Sequence, residues 1–101
     1  MSIEAQFNRD MRMIYDRART ECHYNATRFL RMLSEHGGVE TARRLIAVEG
    51  KTEGFSRLWE CGRLDLTVEA LVLKEEYRSL FTEAERELCR QRLQKYGYTR
   101  R

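Results

Sequence analysis

The sequence predicts an all-α fold: a compact bundle of about five or six helices, led by a long N-terminal one, in a single domain over 1–101. Proline is absent from the 101 residues. Helices joined by short glycine turns tolerate that absence, whereas the loops of an all-β domain ordinarily use some proline. Apolar residues recur at spacings of three and four through most of the chain, the period of a helix with one buried stripe. A capping box near the C-terminus adds a third, independent helix signal.

The first helix is defined by Ile3, Phe7, Met11, Ile14, Tyr15, Ala18 and Cys22, with charged residues between them on a solvent face. Asn25 is placed to cap a second helix with Phe29, Leu30 and Leu33 on its apolar face, and Gly37-Gly38 offers it a left-handed exit. Val39, Ala42, Leu45 and Ile46 then mark a third helix ended by Gly50, so the two are expected to form a tight αα-hairpin. The polar, glycine-bounded stretch 49–54 reads as a flexible loop.

Beyond it, Phe55, Leu58 and Trp59 share one face of a short helix closed by Gly62. Thr67 caps the apolar segment 68–73, in which Val68, Leu71 and Val72 point one way; a strand is disfavoured because no second strand-like run exists to pair with it. Thr82-Glu83-Ala84-Glu85 is the capping box, in which the threonine oxygen and the Glu85 carboxylate satisfy each other's backbone N–H. Acidic residues open this last helix and Arg90, Arg92 and Lys95 close it, matching the helix dipole. Gly97 stops it, and 98–101 is expected to fray. Glu85 and Arg92 fall between its two apolar sides, which suggests a semi-buried pair. The expected core comprises Phe7, Ile14, Phe29, Leu33, Leu45, Leu58, Trp59, Leu71, Leu88 and Leu93.

The longest uncharged apolar runs are far too short for a membrane span, and MSIEAQFNRD lacks the apolar region of a secretory signal. Cys22, Cys61 and Cys89 are odd in number and widely spaced, a pattern that suits reduced thiols and hence a bacterial-type, cytoplasmic location. The net charge of +3 is mild, but 16 arginines stand against 3 lysines. Arginine favours phosphate and carboxylate recognition, although a GC-rich genome produces the same bias.

No catalytic, cofactor-binding or metal-ligating set emerges. Cys22-His23 is the only local thiol–base pairing, and neighbouring helix residues point too far apart to meet. The cysteines and His36 lack the close ligand pairs of a zinc knuckle. The glycines do not match a phosphate loop. A helix-turn-helix over RFLRMLSEHGGVETARRLI would present Arg43 and Arg44, but Leu33 and Arg43 stand where that motif wants a small and an apolar residue. Arg43, Arg44, Arg90, Arg92, Lys95, Arg100 and Arg101 remain a possible binding surface, for nucleic acid through phosphate contacts or for protein.

Two stretches carry a resemblance: YNATRFLRMLSEHGGVETARRLI at 24–46 and GFSRLWECGRLDLTVEALVLKEEYRSLFTEAERELCRQRLQKYGY at 54–98, with LWECGRLDLTVEALVL the more specific part. They resemble a family of small bacterial all-helical proteins without a known activity, found as free-standing short chains or as tail segments of larger proteins. The resemblance implies compactness and cytosolic origin and supplies no catalytic residue. A segment that can serve as a tail implies binding rather than catalysis. The expected function is therefore a non-enzymatic protein-interaction or regulatory module acting on an unknown protein partner or on a second copy. Nucleic-acid association is the alternative, and a small enzyme with an unrecognised site the third reading.

Overall fold

A computed structural model describes residues 2–98, and among these it contains five α-helices, two 3-10 turns and no strand. Helix α1 (Ile3–Cys22) starts where the Ser2 hydroxyl accepts from the Ala5 N–H at 3.1 Å. Phe7, Met11, Tyr15 and Ala18 are its buried stripe, the positions that the sequence period selects. His23 takes a left-handed conformation (φ 54°), and the Tyr24 N–H returns to the Ala18 carbonyl at 3.1 Å. That is the helix exit glycine normally provides, here made by a histidine.

Helix α2 (Thr27–Ile46) replaces the expected hairpin. Gly37 breaks its helical path with φ 78° and ψ 172°, yet the halves adjoin there with no loop between them. Counted by its halves, the bundle has six helical segments, within the predicted range. Asn25 does not cap it: Ala26 holds the cap position, and Asn25 Oδ1 instead accepts from the Tyr15 hydroxyl at 2.8 Å. The buried phenol needs an acceptor, and that need outweighs the cap.

The kink brings α2 against α1. Gly38 is buried, Asn8 Oδ1 accepts its N–H, and a Cβ at 38 would lie 2.5 Å from that oxygen and 3.2 Å from the Asn8 Cα. Only a residue without a side chain lets the two backbones approach this closely.

The loop is shifted, spanning 47–52 in place of the expected 49–54. Glu53 and Gly54 already belong to α3 (Glu53–Glu60), capped by Thr52, whose hydroxyl accepts from the Phe55 N–H at 3.1 Å. A 3-10 turn, Leu64–Leu66, leads into α4 (Val68–Val72). Thr67 Oγ1 accepts from the Ala70 N–H and donates to the Leu64 carbonyl, so one hydroxyl joins turn and helix. All five residues of α4 are buried, more than the one-sided burial expected, because α1, α2 and α5 pack around it. A second 3-10 stretch, Glu75–Leu80, buries Tyr77 edge-on to Phe7 with ring centroids 4.9 Å apart, and Phe81 meets Phe7 at 5.3 Å. The Tyr77 hydroxyl donates to the Asp10 carboxylate, and burial together with that bond pushes its pKa up to about 12.

Helix α5 (Glu83–Lys95) carries the capping box in full: Thr82 Oγ1 accepts from the Glu85 N–H at 3.1 Å and Glu85 Oε1 from the Thr82 N–H at 2.8 Å. Its buried residues are Arg86, Cys89 and Leu93, and Leu88 points outward at 47% exposure. Trp59, at 45%, is likewise outside the core. Both were expected inside; helical spacing marks a face but not which face meets the bundle. Phe7, Leu58, Leu71 and Leu93 are buried, while Ile14, Phe29, Leu33 and Leu45 pack half-buried against the core. Tyr98 does not fray: its N–H donates to the Leu93 carbonyl at 2.9 Å and its ring packs on the Phe55 cluster. The rest of the expected tail, 99–101, lies outside the described residues.

The expectation of three reduced thiols is overturned. Cys22 and Cys61 form a disulfide with Cα atoms 6.0 Å apart, and Cys89 alone is free and buried. Cys22 ends α1 and Cys61 follows α3, and the fold brings those ends together; nothing in a separation of 39 residues announces it. Nearby, Glu21 receives hydrogen bonds from Arg17 and Arg63, which hold its carboxyl down to about 2.

Two outcomes are expected. Cys61→Ser, or reduction, should lower unfolding stability by about 2–4 kcal/mol in denaturant titration, and thiol counting in denaturant without reductant should find only Cys89. Gly38→Ala should cost on the order of 1–3 kcal/mol in the same titration, since it forces the α1 and α2 backbones apart; an unchanged midpoint would contradict the close approach.

Candidate functional site

Arg92 is the most heavily engaged of the basic residues singled out in the sequence. Its side chain is 9% exposed and bonds Glu69 Oε2 at 2.7 Å, the Ile46 carbonyl at 3.2 Å and the Val48 carbonyl at 2.8 Å. The semi-buried pair predicted in α5 therefore exists with a different acid. Glu85 spends one oxygen on its own helix cap and directs the other to Arg43 at 3.3 Å. The planar guanidinium spreads its donors over separate nitrogens, so Nη1 meets the carboxylate while Nη2 takes both carbonyls. It satisfies carbonyls at the end of α2 that have no helical partner, and it neutralises a carboxylate that α4 carries into the interior.

Burial raises the Glu69 carboxyl above its usual range, opposed by the hydrogen bond from Arg92. Cys89 lies beside them, and burial first, then the Glu69 charge, pushes its thiol up to about 12. It is a packing residue in its thiol form, unsuited to nucleophilic attack. Cys22 is in the disulfide, so the Cys22-His23 pairing has no thiolate to offer.

The other singled-out residues are dispersed. Arg43 bonds the Leu80 carbonyl at 2.9 Å and lies over the Phe81 ring, sealing the seam between α2 and α5. Arg44 pairs with Glu40 at 2.9 Å along α2. Arg90 pairs with Glu87 at 2.9 Å along α5, and Lys95 sits 5.9 Å from the Tyr96 ring centroid. Arg100 and Arg101 lie outside the described residues. Among the described members, each cation thus has a carboxylate, carbonyl or ring within its own element or an adjoining one.

What sequence reasoning missed is concave. A cavity of about 640 Å³ opens between the second half of α1, helix α2, the loop that follows it, α3 and the start of α4. Phe29, Phe55, Leu58 and Leu66 form much of its apolar lining, and Glu69 and Thr67 reach it from α4. Arg92 braces it from behind, because the two carbonyls it holds lie where α2 passes into the Val48 rim. Its volume falls in the range of small-molecule sites. Its one buried carboxylate, Glu69, is tied to Arg92, and the other carboxylate of the lining, Glu53, is exposed, so the predominantly apolar arrangement suits holding an apolar group. No group of three or more His, Cys, Asp and Glu among the described residues is placed to hold a metal ion, and no described helix is long and apolar enough to cross a membrane.

An aromatic ladder leads from the cavity wall to the surface. Phe55 meets the Tyr96 ring at 5.3 Å, and Tyr96 meets Trp59 at the same centroid distance, both edge-on. Lys51 stands 5.1 Å from the Tyr96 centroid. The one signal that could have exposed the ladder was the shared face of Phe55 and Trp59, which reads equally well as core.

Arg92→Ala should cost about 3–5 kcal/mol, measured by urea unfolding, because it strands Glu69 as a buried charge. The double change Glu69→Leu with Arg92→Met should recover most of that loss; equal destabilisation by the single and double variants would contradict the pairing. No family model, curated protein or solved structure matches the chain.

Proposed function

We propose that this chain is a non-enzymatic binding module, of protein-interaction or regulatory kind, whose contact face is centred on Trp59 and Tyr96. The observation that carries this reading is the exposure of the chain's sole tryptophan, at 45%, against a half-buried tyrosine. Tryptophan and tyrosine dominate the energetics of protein contacts because they bury a large area while ordering few rotors. Lys51 and Lys95 beside Tyr96 supply a polar rim to that apolar centre.

Nucleic-acid association has less support. A phosphate-binding surface needs several cations released together, and here Arg43, Arg44, Arg90 and Arg92 are committed to acceptors of the protein itself. The cytoplasmic expectation lost its cysteine argument when Cys22 and Cys61 proved to be joined, and a disulfide favours an oxidising compartment.

Purification at mild salt separates the readings. A stoichiometric protein partner that survives high salt and is lost with Trp59→Ala is the expected result, with the variant's melting transition kept. Nucleic acid that leaves as salt rises, with capture unaffected by Trp59→Ala, would replace this reading with the alternative.

A further inference from the structure

We propose that the cavity beside α3 is a binding site for a small anionic amphiphile, a molecule with one aliphatic chain and one carboxylate head. This goes beyond the interaction face and stands without it. The lining is predominantly apolar, with Phe29, Phe55, Leu58 and Leu66 in its walls, and at about 640 Å³ the space takes a chain of a dozen or so carbons in a bent form.

The charge distribution sets the head group. Arg28, Arg44 and Lys51 line the cavity, against two carboxylates, Glu53 and Glu69. Glu69 is already neutralised by Arg92 from behind, and Arg44 is engaged by Glu40. Among the described residues Arg28, which is exposed, forms no ion pair, and the Lys51 ammonium lies 5.1 Å from the Tyr96 ring centroid and forms none either. The local surplus is therefore positive, and a guanidinium fork matches a carboxylate in two parallel hydrogen bonds.

The site is also held open in advance. Arg92 fixes the carbonyls of Ile46 and Val48, and the Cys22–Cys61 disulfide fastens the end of α1 to the end of α3, two of the walls. A site whose walls are pinned loses little freedom when it is filled.

The test titrates sodium dodecanoate into the full chain below its micelle concentration, followed by amide chemical shifts, with dodecanol and dodecyltrimethylammonium as neutral and cationic comparisons. The expected result is saturable one-to-one binding of dodecanoate with shifts at Phe29, Phe55 and Leu58, and affinity for the alcohol about tenfold lower. Arg28→Gln with Lys51→Gln, which remove charge and keep a polar side chain of similar reach, should bring dodecanoate down to the level of the alcohol and leave the alcohol unchanged. Val48→Trp, at the exposed rim, should block both. Absence of saturable binding, shifts centred on Trp59 or elsewhere outside the cavity, or unchanged dodecanoate affinity in the charge variants would each overturn the proposal. None of these outcomes bears on whether Trp59 anchors a protein partner.

Discussion

A charged side chain that leaves water must find its hydrogen bonds inside the protein, and the interior of this bundle is organised around one such case. Arg92 projects from α5 toward α4, meets the Glu69 carboxylate, and continues to the two carbonyls where α2 gives way to its loop. Three elements far apart in sequence are thereby registered against one another by directional bonds. Apolar packing alone would tolerate sliding; a guanidinium with fixed donor directions does not. The short α4, too brief to be stable alone, is held by this bond on one side and by the Thr67 hydroxyl at its start.

Local rules were legible and long-range ones were not. The α1 stripe, the Thr67 cap and the Thr82–Glu85 box each depend on residues a few positions apart, and each formed as the spacing implied. The partner of Arg92 lies 23 residues away and the partner of Cys22 lies 39 away, and no periodicity encodes such pairings. Asn25 shows the two levels in conflict: as a local cap it was well placed, but a buried tyrosine hydroxyl from α1 claimed its oxygen. Trp59 and Leu88 show a different gap, since an apolar position on an amphipathic helix can face the bundle or a partner with the same sequence signature.

The candidate site inherits this division. Its lining runs from Ile14 to Glu69 and takes residues from both sides of the Gly37 bend in α2. The bend is a backbone fact. The sequence marked Gly37-Gly38 as a place where the path changes, and the tertiary contacts determined that it changes by a kink, with a concave surface between α1, α2 and α3. The arginine excess resolves in the same way: several arginines that looked available for a partner close seams and satisfy carbonyls within the fold.

The Cys22–Cys61 link closes a covalent ring that contains the whole of α2 and α3, while α5 and nearly all of α1 lie outside it. Partial opening of the domain is consequently asymmetric. Detaching α5 breaks only non-covalent contacts and leaves the ring intact, whereas α2 cannot extend fully while its flanks remain joined. Protection of backbone amides against exchange should therefore follow the ring as well as burial, with α5 separating as its own cooperative unit. Because α5 carries Arg92, the departure of that unit would remove the cavity's brace while the ring still held α2 and α3 near the end of α1.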